Sequence, residues 1–232
     1  MSNLKKIDFD DFLNSIKNDE VYEIKKKRER AIYYIESKNL FFKIWVQNWT
    51  QSKIANYCFE AGFYDNKNAN SIIGILHDST GDRGYVQHSG ICPIEKGKSD
   101  KCWDQFIRNT TLEKRKNFII DVFEKSFIAK GTYTDLAPCN IILYNDNINF
   151  IDLESFRSFE LIFENKRKEY ENFELDAWWK PHETAKRDVN KYFKSYLCDC
   201  LDINIKFEID SIENFKNVYK ILKSRGKNGK SN

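Results

Sequence analysis

Apolar residues fall along this chain in two spacings, and each spacing predicts its own kind of element. Phe9, Phe12, Leu13 and Ile16 recur every three or four positions, which predicts a short amphipathic helix within residues 4–18. Val21 to Ile24, Ala31 to Ile35 and Leu40 to Val46 are short runs of strand-forming residues. The charged stretch 25–30 and the turn Ser37-Lys38-Asn39 separate them, so three antiparallel strands are expected. Helical spacing returns at residues 51–63, with Ile54, Tyr57, Cys58 and Ala61 on one face. Ser71 to His77 reads as a strand, Asp78 to Gly84 as a turn, and Gly84 to His88 as a strand pairing back.

Gly90 to Asp100, with Pro93 and Gly97, reads as a loop and an expected domain boundary. Trp103, Phe106 and Ile107 suggest a short helix. Leu112 to Ala129 is the strongest helix of the chain, with Phe118, Ile119, Val122, Phe123, Phe127 and Ile128 as its apolar stripe and Gly131 as its stop. Ile141 to Leu143 and Ile148 to Ile151, joined by the polar turn Tyr144 to Asn147, read as a hairpin. Phe156 to Phe163 could extend a wall beside it. Residues 165–172 are charged and read as a solvated helix, and Trp178 and Trp179 as packing residues. Ala185 to Leu201 is helical in spacing, Ile203 to Ile209 fits no single period, and Phe215 to Leu222 predicts a short helix. The lysine- and glycine-containing end, residues 224–232, is expected to be disordered.

The hairpin carries the chemistry. Asn140 enters its first strand and Asp152 leaves its second, so the two should sit side by side, with Asp135 on the preceding loop. Two oxygen-bearing groups on rigid strand ends suit Mg²⁺, a hard cation that takes few side chains and keeps substrate phosphates as ligands. A third carboxylate nearby can orient a substrate hydroxyl and accept its proton. These are the parts that phosphoryl transfer needs. The alternative is a structural hairpin, since Asp and Asn are ordinary turn residues.

Upstream, Lys43 lies in a strand otherwise made of Phe41, Phe42, Ile44 and Trp45, and a lysine in so apolar a run needs a partner or a ligand. Asp135-x-x-x-x-Asn140 followed by a hydrophobic residue and Asp152 resembles the catalytic loop and metal-binding Asp of the protein-kinase-like superfamily. That superfamily includes protein kinases, aminoglycoside and choline kinases, and lipopolysaccharide-core sugar kinases. Asp152-Leu153-Glu154 is closer to the small-molecule branches than to Asp-Phe-Gly.

The resemblance covers about residues 20–157. It implies an α+β, two-lobed fold: residues 1–90 a small antiparallel-sheet lobe, residues 91–223 a mainly helical lobe. It implies ATP and Mg²⁺ as cofactors, with Asp135 as catalytic base, Asn140 and Asp152 as metal ligands, and Glu154 assisting. Lys43 would contact the nucleotide phosphates, steadied by Glu60, with Asp65 as an alternative partner. Gln87 and His88, with Ser89, would border the adenine. The activity implied is transfer of the γ-phosphoryl of ATP to a hydroxyl of a small molecule, sugar or protein. The sequence departs from the family where glycines normally approach the phosphates, because residues 25–30 contain none. A pseudokinase that binds nucleotide or partners without turnover is therefore the alternative. Tyr133 stands where a loop-supporting His is common, and Ala137 where serine/threonine kinases carry a Lys.

Composition narrows this little. With 232 residues the chain is long enough for a substantial core, and 15% aromatic content argues against general disorder. A net charge of +3 gives no case for a dominant nucleic-acid surface. Six scattered cysteines without a Cys-x-x-Cys pair argue for reduced thiols and a cytoplasmic setting rather than structural zinc. No run of about 18 apolar residues predicts a membrane span.

Overall fold

The computed structural model describes residues 5–27, 30–45, 72–94, 102–151, 155–166 and 182–225. The expected helix at 51–63 with Glu60, the alternative partner Asp65, the triplet Asp152 to Glu154, Trp178 and Trp179, and residues 226–232 lie outside them. So does all but the start of the charged stretch 165–172.

The chain is a mixed α+β protein. Its main sheet has six strands: β1 (Lys5–Asp8), β2 (Val21–Lys26), β3 (Arg30–Ile35), β4 (Leu40–Trp45), β5 (Ile72–Asp78) and β6 (Gly81–His88). Their spatial order is β1-β5-β6-β4-β3-β2. All neighbours are antiparallel except β1, which runs parallel to β5. The first strand was not expected from periodicity. Lys5 and Lys6 disguise it, because they sit on an exposed edge. Helix α1 (Phe9–Ile16) follows at once, started by the Asp8 carboxylate accepting from the Asp11 amide. The turn between β5 and β6 is also tighter than expected. Ser79 and Thr80 alone form it, and Asp78 holds it by accepting from the Thr80 amide and from Arg83.

Alternation gives the sheet two faces. Phe42, Leu76, Val86 and Ile35 face α1, where Phe12 and Ile16 cover them as a small core. Trp45, Ile75 and Tyr85 face the other way and join the large core of the helical part. Gly84 is required where β6 passes β4. A Cβ there would overlap the Lys43 carbonyl oxygen and meet Ile44 Cα at 3.1 Å, both of them backbone atoms that cannot turn aside. Gly84→Ala is expected to force the strands apart and destabilise the protein by about 1–3 kcal/mol, read as a lowered midpoint in thermal unfolding.

The helical part is built on α2 (Cys102–Arg108), α3 (Leu112–Ala129), α4 (Phe159–Glu164), α5 (His182–Ser195) and α6 (Ile212–Arg225). Helix α3 has the expected bounds. Thr111 caps its start, and Phe118, Ile119, Val122 and Phe123 are buried. Two details differ from expectation. Ile128 points to solvent at 69% exposure. The left-handed stop is Lys130, whose amide turns back to Phe127 and Ser126. Gly131 serves another purpose: it lets the backbone pass close to the Arg157 carbonyl and the Phe156 ring. Helix α5 runs on into one wide turn, Tyr196–Cys200. Residues 203–209 are irregular but bury Ile203, Ile205 and Ile209, which explains their lack of a period. Helix α6 is longer than predicted because its ends are polar. No helix among the described residues is long and apolar enough to cross a membrane. Cys92, Cys102, Cys139, Cys198 and Cys200 are free thiols.

Candidate functional site

The expected hairpin is present as β8 (Ile141–Tyr144) and β9 (Asn147–Phe150), paired antiparallel. Asn145 and Asp146 both take left-handed backbone (φ 47° and 62°), the geometry that a two-residue hairpin turn demands and that Asn and Asp tolerate. The loop before it is held from several sides. Thr134 donates its amide and its hydroxyl to the Ser155 carbonyl, each at 2.9 Å. Strand β7 (Gly131–Tyr133) pairs with β10 (Phe156–Ser158). Tyr133 is fully buried against Phe150, with ring centroids 4.1 Å apart, so it supports the loop as expected. Tyr196 donates to the Leu136 carbonyl at 2.8 Å.

Asp135 and Asn140 are brought together. Asn140 Nδ2 donates to the Asp135 carbonyl at 3.2 Å. Among the described residues Asn140 Oδ1 receives only the weak Cys139 thiol at 3.8 Å, and it is a hard oxygen donor of the kind Mg²⁺ takes. Ile151 donates its amide to the Asn140 carbonyl at 2.9 Å, so the end of the hairpin lies beside Asn140. Asp152 and Glu154 follow Ile151 and lie outside the described residues. Among the described residues no group of three or more His, Cys, Asp and Glu side chains converges on a metal position. Asp135 Oδ1 is buried without a hydrogen-bond partner among the described residues, an expensive arrangement that structural carboxylates avoid.

Lys43 is 5% exposed on the interior strand β4. Its register partner on β6 is Tyr85, and the ammonium lies 5.9 Å from the centroid of that ring. The Tyr85 hydroxyl donates to the Ile151 carbonyl at 3.0 Å. Tyr85 thus ties the lysine-bearing face of the sheet to the residue beside Asn140. Periodicity could not single it out, because one contact among many aromatic residues spans 66 positions.

Gln87 lies two residues beyond Tyr85, on the same face and 7% exposed, with Oε1 unpaired among the described residues. His88 stacks on Tyr144 at 4.9 Å and 8°. Burial lowers its pKa, so the ring stacks as neutral imidazole. Beyond it, Ile91 exchanges backbone hydrogen bonds with Leu143 at 2.9 and 2.8 Å, which binds the end of the sheet to the hairpin.

No protein-family model matches the chain, and no curated protein matches it. The site must therefore be judged by its own geometry. Sequence reasoning missed three contributors to it, all tyrosines. Besides Tyr85, Tyr192 and Tyr196 stand four residues apart on one face of α5 and its continuation, beside Asp135 and Leu136. Their hydroxyls at i, i+4 spacing were the available signal, hidden inside an apolar stripe. Cys139 also adjoins this loop, and its thiol pKa is raised, first by burial and then by Asp135 and by Cys102 and Cys92.

Proposed function

We propose that this protein is an ATP-dependent phosphotransferase of protein-kinase-like architecture, moving the γ-phosphoryl group to a hydroxyl of a small molecule, sugar or protein. One observation carries the reading: a buried lysine on the sheet, the hairpin end beside Asn140, and the loop carboxylate Asp135 are linked through Tyr85 and Ile151. These groups are separated in sequence by up to about a hundred positions, and a purely structural hairpin has no need of such a convergence. The sheet order supports the same reading, since it makes the lysine strand interior and sends β6 directly into the segment that meets the hairpin.

In this reading Lys43, with Glu60 as its steadying partner, contacts the α- and β-phosphates. Gln87 and His88 border the base, and the Gln87 oxygen, unpaired among the described residues, is an acceptor for an N–H of a ligand. Asn140 and Asp152 would hold Mg²⁺, with Glu154 assisting. The ion would supply positive charge against the phosphates. Asp135 orients the acceptor hydroxyl and takes its proton. Catalysis by such a site is positioning and charge neutralisation, without a covalent intermediate on the protein. A second reading, a nucleotide-binding scaffold without turnover, is favoured by the absence of glycine from residues 25–30.

Thermal unfolding with ATP and Mg²⁺, against Mg²⁺ alone, tests the site. Ligand at about 100 times its dissociation constant adds roughly 2.7 kcal/mol, a rise of about 5–10 °C for a chain of this size. The rise should vanish in Asp152→Ala. Absence of any rise up to millimolar ATP in folded protein would refute nucleotide binding, and a rise without ATP consumption would favour the scaffold.

A further inference from the structure

The sheet face that carries Lys43 continues across β3 to β2. Residues paired in register stand in one row and project to the same face. Lys25 on β2 pairs with Ile32 on β3, Ile32 with Lys43 on β4, and Lys43 with Tyr85 on β6. Exposure falls along this row: Lys25 is exposed, Ile32 half-buried, Lys43 and Tyr85 buried. The row therefore runs from water down to the buried ammonium. On the same face the next row toward the β2–β3 turn pairs Arg30 with Trp45, and the row on the other side holds Tyr34, Phe41 and Gln87.

A β-bulge puts Lys25 in that row. Tyr22 pairs with Tyr34 and Glu23 with Tyr33, but the next pair is Lys25 with Ile32, so Ile24 is the extra residue. Without the bulge Ile24 would stand in the Lys43 row and Lys25 would face α1. Lys26 instead pairs with Ala31, in the row of Ile44, on the α1 side. Its ammonium meets Glu23 at 3.9 Å, as two residues of one face can. A bulge gives up regular pairing and re-aims a side chain, and here the side chain it re-aims is a cation.

We propose that Lys25, with Arg30 beside it, binds the polyphosphate of the nucleotide through its side chain, from the exposed end of the row whose buried end is Lys43. This rests on the nucleotide-binding part of the reading above and holds with or without turnover. With the base bordered by Gln87, the row of Lys43 is the next toward the turn and that of Arg30 the next again, so the phosphates run along this face toward the cations. Lys25 and Lys43 are two strands apart, roughly 10 Å between backbones, and two lysine side chains converge over that span on a polyphosphate lying between them. Charge-assisted hydrogen bonds from ammonium to phosphate oxygen are the strong kind. Residues 25–30 hold no glycine and so bring no bare backbone to the phosphates, and the side chains supply the contact instead.

The test titrates ATP with Mg²⁺ against the full chain and compares Lys25→Gln with Lys26→Gln. Each variant removes one exposed positive charge, from adjacent positions on opposite faces. Lys25→Gln is expected to weaken ATP binding roughly 5- to 50-fold, with the unfolding midpoint in the absence of ligand unchanged. Lys26→Gln should stay within about twofold of wild type, and Lys25→Arg, which keeps the charge, should retain most of the affinity. Lys25→Gln within about twofold of wild type overturns the proposal and leaves nucleotide binding standing. Equal weakening in Lys25→Gln and Lys26→Gln also overturns it, because diffuse charge rather than a contact on the Lys43 face would then be responsible. Wild-type protein that shows no ATP-induced shift removes this proposal and the nucleotide site together.

Discussion

Replacing Asp135 by Asn is expected to lower ATP turnover by about 10²- to 10⁴-fold while leaving the ATP-induced rise in unfolding temperature in place. The substitution preserves shape and exchanges one oxygen for an amide nitrogen. Hydrogen bonding through the backbone carbonyl of residue 135 to Asn140 is untouched, so the hairpin end keeps its position. On the phosphotransferase reading, what is lost is the capacity to take the acceptor proton, a loss felt in the transition state and hardly at all in nucleotide binding. Stability supplies a second readout. In the wild type Oδ1 is buried without a partner among the described residues, and an unpaired buried acceptor destabilises the fold by about 1–3 kcal/mol. The variant carries no charge at that point, so its unfolding midpoint should equal or exceed that of wild type. That outcome would be the usual relation between a functional group and the stability of its scaffold. An inactive variant with a sharply lowered midpoint would show instead that Asp135 holds the loop together.

The largest effect on stability is expected at Phe123. Its side chain is fully buried in the middle of α3, with ring centroids 4.3 Å from Phe215, 4.8 Å from Phe193 and 6.1 Å from Tyr219. Those rings belong to α5 and α6, so a single side chain joins three helices. Phe123→Ala removes their common contact and leaves a void that the surrounding rings can only partly fill. A loss of about 3–5 kcal/mol follows. For a chain of this length that is a fall of roughly 6–20 °C in the unfolding midpoint. Ile128, five positions on, provides the internal comparison. It belongs to the same apparent stripe in sequence but is 69% exposed, and Ile128→Ala should change stability by no more than about 0.5 kcal/mol. Similar losses at the two positions would contradict the core described here.

How far the sequence could be read depended on how local each feature is. The hairpin at 141–150 needs only its two apolar runs and an Asn-Asp turn whose residues accept left-handed backbone, and it forms where expected. Helix α3 needs only its period, its Thr111 cap and a stop. The strands carrying Lys43 and Tyr85 were expected, and each pairs antiparallel with the strand before it in sequence, as expected, while their pairing with one another was not foreseen. Asp135 and Asn140 were legible because five positions of loop bring them together in any such turn.

Other features required the whole chain to be folded. Lys5–Asp8 becomes a strand only because β5 offers an open edge about seventy residues later, and nothing in four residues with two lysines announces it. Ile128 and Phe123 look alike in the helical period, and the docking of α5 and α6 alone determines which is buried. The Tyr85 hydroxyl finds Ile151, and the Tyr196 hydroxyl finds Leu136, through contacts across long separations whose partners no spacing rule can name. The sequence by itself determined the local elements and the loop that carries Asp135 and Asn140, because turn chemistry and side-chain period act over a few residues. Tertiary structure alone decided the edge strand, the buried side of each helix, and the tyrosines that join the sheet and α5 to that loop. Those depend on which surfaces exclude water together, and that is a property of the whole packed chain rather than of any segment.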